Sequence, residues 1–182
     1  GYDAYGRLLT RHIGPHIAPD VKMIVQNMPG AGGIRAIMYL HSVAAKDGTV
    51  MGMVHSGVPM APALGIEEAK FDPNAINWIG SMNKEGMVCI SWHDSPIKTF
   101  DDTFTKEFIV GGSGGGSQME TYPLMMARMF NAKVRIISGY KSGTEVYLAM
   151  ERGEVMGRCG NSMTSIRSVK PEWIEKHLIN YV

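Results

Sequence analysis

The sequence predicts an α/β fold. Short runs of β-branched and methionine residues alternate with amphipathic segments of helical periodicity, and glycine-rich turns join them. Hydrophobic residues make up 45% of the 182 residues and charged residues 19%, a composition that supports a buried core and argues against disorder. Because strands alternate with helices along the chain, we expect parallel sheets that are covered on both faces.

The first half of the chain, up to about Val88, is predicted to form one α/β unit. An amphipathic helix over 3–13 carries its apolar residues on one face, and Gly14-Pro15 is expected to end it. The other elements expected here are strands at 21–25, 50–55 and 76–80, a helix at 34–44, and a short helix or loop at 57–64.

The second half is predicted to repeat this alternation. Strands are expected at 87–92, 108–110, 133–138, 154–159 and 178–182. Helices are expected over part of 101–108, from Ser117 to about residue 130, and at 144–152 and 171–177. Ser117 and Glu120 have the spacing of a capping box, although Pro123 makes Thr121 an alternative N-cap.

The composition excludes several classes of protein. Eighteen basic and 17 acidic residues give a net charge of +1, without the basic excess that nucleic-acid binding requires. Two cysteines are too few for a disulfide scaffold and lack the spacing of a zinc site. No apolar run approaches the ~20 residues of a membrane span. The 15 methionines are interpreted as core filler.

No metal or cofactor is expected. His12 and His16 have helical i, i+4 spacing, but Gly14-Pro15 between them is expected to break the helix. The chain shows neither a signal peptide nor an initiator methionine, and Gly1 leads directly into a helical segment. We therefore expect a chain that is trimmed at its front.

Two glycine-rich stretches each lie between a predicted strand and a predicted helix. They are residues 29–33 (PGAGG) and residues 111–117 (GGSGGGS), where Ser113 and Ser117 add hydroxyl donors. Consecutive backbone N–H groups at the start of a helix bind anions, and ligands of open α/β sheets bind beyond the carboxyl ends of the strands. The pattern favours an anion site, with simple tight turns as the alternative.

The named nucleotide motifs are absent, but one hydrolase motif is present. Neither loop gives GxGxxG, and no GxxxxGK[ST] occurs. Residues 111–115 match GxSxG with Ser113 as the nucleophile, and the best remaining acid and base after it are Glu154 and His177. A small α/β serine hydrolase is therefore the alternative function.

Several motifs occur in an order that resembles a known receptor family. The opening GYDAYGRLLTRHIG is followed by VQNMPGAGG and AAKDGTVMGMV, and then by ISWHDSPIKTFDD, VGGSGGGS and SGYKSGTEVYLAMERGEVMGR. These blocks resemble the extracytoplasmic solute receptors of tripartite tricarboxylate transporters, the Bug family of periplasmic binding proteins. The resemblance implies a receptor and not an enzyme. It also implies the bilobed type II periplasmic-binding-protein fold, with lobe 1 at 1–88 and lobe 2 at 89–182.

The resemblance further implies a ligand and a set of partners. The ligand would be a small carboxylate (a di- or tricarboxylate, an acidic amino acid or an aromatic acid) held between the lobes. It would be delivered to the membrane permease subunits of the transporter by a monomeric periplasmic protein that binds no nucleic acid. The family holds carboxylates mostly through backbone amides, hydroxyls and waters. The matching positions are Asp3, Ala31, Gly32, Gly33, Ser56, Gly57, Ser113, Gly114, Ser117, Tyr140, Lys141, Gly160 and Asn161.

The chain also departs from the family pattern. The family's first strand, the glycine turn before the Asp3 helix and the closing segment that returns to lobe 1 are absent. Lobe 1 is therefore expected to be incomplete and the fold truncated at both ends. Gly139 stands where the family often has proline before the aromatic residue that matches Tyr140. A periplasmic location would allow Cys89 and Cys159 to pair, with two buried thiols as the alternative. Cα atoms more than ~7 Å apart would exclude the disulfide.

Overall fold

Helices dominate the first half of the chain and a mixed sheet organises the second half. The computed structural model describes residues 2–82, 84 and 86–182. Its α-helices are α1 (Tyr2–Ile17), α2 (Ile34–Ser42), α3 (Asp102–Thr105), α4 (Gln118–Phe130), α5 (Gly143–Glu151), α6 (Met163–Val169) and α7 (Pro171–Glu175). Its strands are β1 (Met87–Trp92), β2 (Phe108–Gly111), β3 (Val134–Ile137), β4 (Gly157–Ser162) and β5 (Ile179–Tyr181). Short 3₁₀ helices lie at Ala31–Gly33, Val58–Met60 and Pro73–Ala75.

The five strands form one sheet in the order β3-β2-β4-β1-β5. Strand β2 runs parallel to β3 and β4, whereas β1 runs antiparallel to β4 and β5. The expectation of a purely parallel sheet is therefore wrong at β1. The first residue of β1, Met87, pairs with the last residue of β4, Ser162. Strand β1 therefore starts where β4 ends and runs in the direction opposite to β4.

The strands predicted in the first half do not form. Within residues 2–82, 84 and 86, the segments 21–25, 50–55 and 76–80 are not strands. A strand exists only where a neighbouring strand accepts and donates its backbone hydrogen bonds, and the described residues offer these segments no such ladder. No residue of these three segments is buried. Ile24 and Ile79 remain 92% and 81% exposed.

Helix α1 continues past the predicted stop. It includes Gly14 and Pro15 and ends at Ile17, with the Ala18 amide donating to the Gly14 carbonyl at 3.2 Å. Pro15 has no amide to donate to the Arg11 carbonyl, and the helix ends two residues after it. His12 and His16 therefore do lie one helical turn apart. No group of three or more metal-ligating side chains occurs in the described part of the chain.

The second half follows the predicted order of elements more closely. Strand β1 has the predicted bounds, and β2, β3 and β5 lie within two residues of theirs. Strand β4 is shifted by three residues toward the C-terminus, to Gly157–Ser162. Helix α6 was not predicted, although Ser162 caps it by accepting from the Ser165 amide at 3.0 Å.

The buried core divides between the two halves of the chain. One apolar cluster draws only on residues 31–76, while two others draw only on residues 88–182. Strand β1 starts at Met87, so Met87 and Val88 belong to the sheet of the second half. We propose that the lobes divide before Met87, one or two residues earlier than 88/89. Among the helices described, none is both long and apolar enough to cross a bilayer.

A disulfide fastens the two central strands of the sheet. Cys89 on β1 is bonded to Cys159 on β4, and their Cα atoms are 3.9 Å apart, well within the limit set from sequence. Cys89 lies where the β1–β4 register shifts between Val88 and Ile90. The Met126 sulfur lies 3.4 Å from the Cys89 sulfur, so the bridge is embedded in the core. The disulfide hypothesis is confirmed.

Candidate functional site

The predicted second-half site lies at the carboxyl edge of the sheet. Strands β2, β3 and β4 run parallel, so the residues that follow them emerge at one edge. Residues 111–117, here called the glycine loop, follow β2 and lead into α4. Residues 138–142 follow β3 and lead into α5. This edge therefore holds one of the two glycine-rich loops, residues 111–117, together with the loop that carries Tyr140 and Lys141.

Most amides of the glycine loop already have acceptors inside the protein. The Gly112 amide donates to the Ile137 carbonyl at 2.9 Å, and the Ser117 amide donates to the Gly114 carbonyl at 2.9 Å. The Gly114 amide donates to the Glu120 carboxylate at 2.6 Å. Glu120 therefore does not complete the predicted capping box, because its carboxylate bonds Gly114 instead of the Ser117 amide. Ser117 is the N-cap by position, but its side chain makes no capping hydrogen bond.

The matching loop of the first half is a turn of unusual backbone conformation. Residues 30–33, here called the first-half turn, all have positive φ, and Ala31 is one of the non-glycine residues with this conformation (φ 46°). The Ala31 carbonyl accepts the Ile34 amide at the start of α2. The Ala31 and Gly32 amides make no hydrogen bond among the residues that the structure describes. Two backbone donors thus point away from internal acceptors.

The glycine loop and the first-half turn touch directly. The Gly116 amide donates to the Ala31 carbonyl at 3.1 Å. A Cβ on Gly32 would lie 2.3 Å from the Ser117 amide nitrogen, so the two backbones approach as only glycine allows. Gln118 donates through its side-chain amide to the Ser56 hydroxyl, and Gly57 packs against Thr121. Six of the predicted site positions are therefore brought to one contact region: Ala31, Gly32, Ser56, Gly57, Gly114 and Ser117.

Ser117 has a buried hydroxyl with no partner. The residue is 1% exposed, and its Oγ makes no hydrogen bond within the described residues. A buried polar group without a hydrogen-bond partner lowers the stability of the folded state. Such groups in native proteins therefore point to a partner such as a bound water, ion or ligand. This hydroxyl lies where the glycine loop meets the first-half turn.

The other first-half site residues gather around the same region. Asp3 on α1 accepts from the Asn27 side chain at 2.9 Å and forms an ion pair with Arg7 at 3.0 Å. Hydrogen bonds from Arg7 and then Asn27 lower the pKa of the Asp3 carboxyl. Asp3 therefore holds α1 against the segment that leads into the first-half turn.

His55 packs between α1 and the first-half turn. The Tyr2 and His55 ring centroids are 4.1 Å apart, and a Cβ on Gly33 would contact the His55 ring at 3.4 Å. Burial lowers the pKa of the His55 imidazole. Sequence reasoning missed His55, although it directly precedes Ser56-Gly57.

Two second-half positions, Tyr140 and Lys141, are tied to their own half by backbone hydrogen bonds. The Tyr140 amide donates to the Gly112 carbonyl at 3.1 Å, which ties the 138–142 loop to the glycine loop. Burial, and next the charge of Glu154, raises the pKa of the Tyr140 hydroxyl. The Lys141 amide donates to the Glu145 carboxylate at 2.6 Å. The backbone of this loop is thus held by second-half residues.

Asn161 is buried in a polar network that the sequence did not reveal. Its Oδ1 accepts from the Tyr147 hydroxyl at 2.9 Å, and its Nδ2 donates to the Arg158 carbonyl at 2.8 Å. The neighbouring Gly160 has φ 70° and lies against the Gln118 backbone. Burial lowers the pKa of the Arg158 guanidinium and raises the pKa of the Tyr147 hydroxyl. An arginine inside the strand GRCGNS was the available signal for this network.

The hydrolase alternative lacks a catalytic geometry. The Met156 amide donates to the Ile109 carbonyl, which places Glu154 beside the beginning of β2. Ser113 follows the end of β2, at the opposite edge of the sheet. His177 precedes β5, whose first residue pairs with the last residue of β1 at the same distant edge. The predicted base and acid therefore lie across the sheet from Ser113.

Comparisons with known proteins agree with this geometry. Comparison with curated protein sequences finds no matching relative. The periplasmic binding protein BugD superposes with a TM-score of 0.66 at 18% identity, over 99% of this chain and 59% of its own. Rpa4515 from R. palustris, solved with adipate, superposes with a TM-score of 0.66 at 19% identity, over 99% of this chain and 60% of its own. The P235GK mutant of ArgBP from T. maritima superposes with a TM-score of 0.52 at 15% identity, over 100% of this chain and 65% of its own.

These likenesses establish the predicted fold, that of periplasmic binding proteins. The chain spans about three fifths of the length of BugD and of Rpa4515. A sequence model described as "Tripartite tricarboxylate transporter family receptor" matches residues 16–170. That range covers most of the 182 residues. The chain therefore belongs to the family of tripartite tricarboxylate transporter receptors.

Proposed function

We propose that this protein is a solute receptor that binds a small carboxylate between its two lobes and delivers it to a tripartite tricarboxylate-type transporter. The observation that carries the proposal is the unpartnered Ser117 hydroxyl, 1% exposed, where the glycine loop meets the first-half turn. A hydroxyl donor in that position suits an anionic acceptor that enters between the loops.

The backbone supplies further donors around Ser117. Within the described residues, the Ala31, Gly32, Ser113 and Gly115 amides make no hydrogen bond. A carboxylate offers about four acceptor positions, so one group can bond donors from both loops. A neutral analogue would leave some of these donors unpaired, which gives a physical basis for carboxylate selectivity.

The contact between the loops suggests how binding is coupled to closure. In this arrangement the Ala31 carbonyl accepts the Gly116 amide, a donor that also lies near the proposed ligand position. A ligand that bonds both loops stabilises the arrangement in which they are close, and so shifts the population toward it. The permease subunits of the transporter would then recognise the closed receptor.

The proposed compartment is the periplasm. BugD is a periplasmic binding protein, and the chain shares its fold. The Cys89–Cys159 disulfide suits an oxidising compartment, since cytosolic thiols are normally kept reduced. We propose that the receptor acts as a monomer and without a cofactor.

The chemical class of the ligand follows from the donors. A site made of amides and hydroxyls recognises a carboxylate but reads little of the rest of the molecule. Rpa4515 was solved with adipate, which supports a dicarboxylate among the ligands to be tested. Tricarboxylates, acidic amino acids and aromatic acids belong to the same test.

A thermal-shift screen tests the proposal. The purified chain is heated with di- and tricarboxylates, acidic amino acids and aromatic acids, with the neutral amide of each hit as control. A bound ligand raises Tm in proportion to RT ln(1 + [L]/Kd), and the amide should give no shift. No shift with any carboxylate, or equal shifts with the amides, would reject the proposed function.

The Ser117→Ala variant tests the role of the hydroxyl. Removing an unpaired buried hydroxyl should leave the stability of the free protein unchanged or slightly higher, while ligand affinity falls about tenfold through loss of one charge-assisted hydrogen bond. Ser168→Ala on the exposed side of α6 is the matched control and should change neither quantity. A loss of about 1 kcal/mol in stability with unchanged affinity would instead assign Ser117 a helix-capping role.

A further inference from the structure

Arg158 lies at the carboxyl edge of the sheet, beside the candidate site. It is the second residue of β4, and the pairing of Val110 with Gly157 places it level with Gly111 at the end of β2. Its side chain extends to Gly143, the first residue of α5. The 138–142 loop, which is hydrogen-bonded to the glycine loop, leads directly into that helix. Arg158 is thus adjacent to the site and not on a remote surface.

The guanidinium of Arg158 has no counter-ion. None of the ion pairs found among residues 2–82, 84 and 86–182 involves it. Its Nε is buried without a partner within the described residues. Its Nη1 lies 3.5 Å from the Gly143 carbonyl, and a side-chain hydrogen bond joins the guanidinium to the Tyr147 hydroxyl. Its Cζ lies 4.7 Å from the centre of the Tyr147 ring. A partly exposed arginine with this little pairing retains donors for an anion.

The surroundings of Arg158 hold the side chain in place. A Cβ on Gly143 would lie 2.4 Å from Nη2, so glycine makes room for the guanidinium. The Tyr147 ring covers one face, and the Tyr147 hydroxyl is fixed by Asn161. Asn161 in turn bonds the Arg158 carbonyl at 2.8 Å. These contacts preorganise a cation that internal charge does not neutralise.

Physical chemistry makes a half-buried cation informative when none of the described residues neutralises it. Burial of a charge is unfavourable unless an opposite charge or good hydrogen bonds compensate it. Burial also lowers the pKa of this guanidinium, although arginine stays protonated in proteins. The planar fork of arginine matches a carboxylate with two parallel hydrogen bonds. A ligand carboxylate would provide the missing counter-ion.

We infer that Arg158 is a specificity residue that binds the second carboxylate of a dicarboxylate ligand, whose first carboxylate is bound by the glycine loop and the first-half turn. This inference rests on the proposed function and narrows its ligand class. Monocarboxylates engage only the loop donors and bind more weakly. Dicarboxylates engage both groups of donors.

A ligand pair of equal chain length isolates the role of Arg158. Adipate carries two carboxylates and hexanoate carries one, and both can be titrated calorimetrically into the purified chain. Wild type should bind adipate about 10- to 100-fold more tightly than hexanoate, the range expected for hydrogen bonds between charged partners. Arg158→Met should remove that ratio while leaving hexanoate affinity unchanged.

Two further variants keep the experiment decisive. Arg158→Lys retains the charge and the aliphatic stem but not the fork, so it should fold and keep only part of the adipate preference. Arg167→Met removes an exposed arginine of α6 and should keep the wild-type ratio. Denaturation of each free variant in urea reports stability separately from binding.

The outcomes separate the inference from the proposed function. An equal loss of affinity for adipate and hexanoate in both Arg158 variants would make Arg158 structural and overturn the inference. A wild-type chain that binds adipate no more tightly than hexanoate would also overturn it, while carboxylate binding as such could still stand. A wild-type chain that binds no carboxylate in the wider screen would overturn the proposed function, and the inference with it.

Discussion

Replacing Gly32 with alanine tests the contact between the glycine loop and the first-half turn. Gly32 has φ +62°, and a Cβ there would lie 2.3 Å from the Ser117 amide nitrogen and 2.7 Å from the Gly114 carbonyl oxygen. Both obstacles are backbone atoms and cannot rotate away. Gly153→Ala is the matched control, because Gly153 has φ +71° and nothing within 4 Å of its Cβ position.

The two substitutions share one destabilising effect and differ in another. Alanine in a left-handed conformation costs about 1 kcal/mol at either position. At Gly32 the loops must also separate by about 1 Å to reach an ordinary contact of 3.4 Å. That separation breaks the hydrogen bond from the Gly116 amide to the Ala31 carbonyl, worth about 1 kcal/mol, and disturbs the packing around it. We expect Gly32→Ala to lower the free energy of unfolding by about 2–4 kcal/mol and Gly153→Ala by about 1 kcal/mol.

Urea denaturation and small-angle X-ray scattering provide the two readouts. The unfolding midpoint at a constant m-value gives the stability difference between the variants. Scattering reports whether the two halves move apart, and Gly32→Ala should have the larger radius of gyration. Equal stability of the two variants, with equal radii, would refute the direct contact between the loops.

The disulfide and His55 yield two more predictions. The double variant Cys89→Ala/Cys159→Ala should have a free energy of unfolding lower by about 4 kcal/mol, because the bridge closes a loop with a sequence separation of 70. An unchanged urea midpoint, or a midpoint that reductant lowers equally in the wild type and the variant, would contradict this. Burial holds the pKa of His55 below its ordinary value, so the unfolded chain takes up a proton first and stability should fall as pH decreases below about 6.5. His55→Phe keeps the ring beside Tyr2 and should flatten urea-denaturation stability between about pH 7 and 5; an equally steep decline would show that other groups cause it.

The disulfide and the loop contact both depend on residues that are distant in sequence. Cys89 and Cys159 are 70 positions apart, and only the pairing of β1 with β4 makes them neighbours. Ala31 and Gly116 meet because two separate halves pack together. No local pattern encodes such meetings, so the sequence alone left the disulfide and the shared site as hypotheses.

Local patterning did determine much of the second half. Strand β1 and the helix that begins after Ser117 follow from β-branched runs and helical periodicity, which act within a few residues of each other. The same reasoning failed for 21–25, 50–55 and 76–80, because a strand needs a partner that its own residues cannot supply. For the first half, the order of the sequence motifs was more informative than the predicted strands. It indicated the receptor family whose sequence model matches residues 16–170.

The sequence by itself determined the α/β class, the receptor family and the two glycine-rich loops, of which only residues 111–117 follow a strand. Tertiary structure decided which donors remain available within those loops. Glu120 and Ala31 accept the Gly114 and Gly116 amides, and the Ser117 hydroxyl stays unpartnered. Among residues 2–82, 84 and 86–182, tertiary structure also gives Arg158 no counter-ion. The sequence shows which polar groups a chain contains. Which of them form hydrogen bonds with each other depends on their neighbours in three dimensions, and the groups left unpaired are those that can bind a ligand.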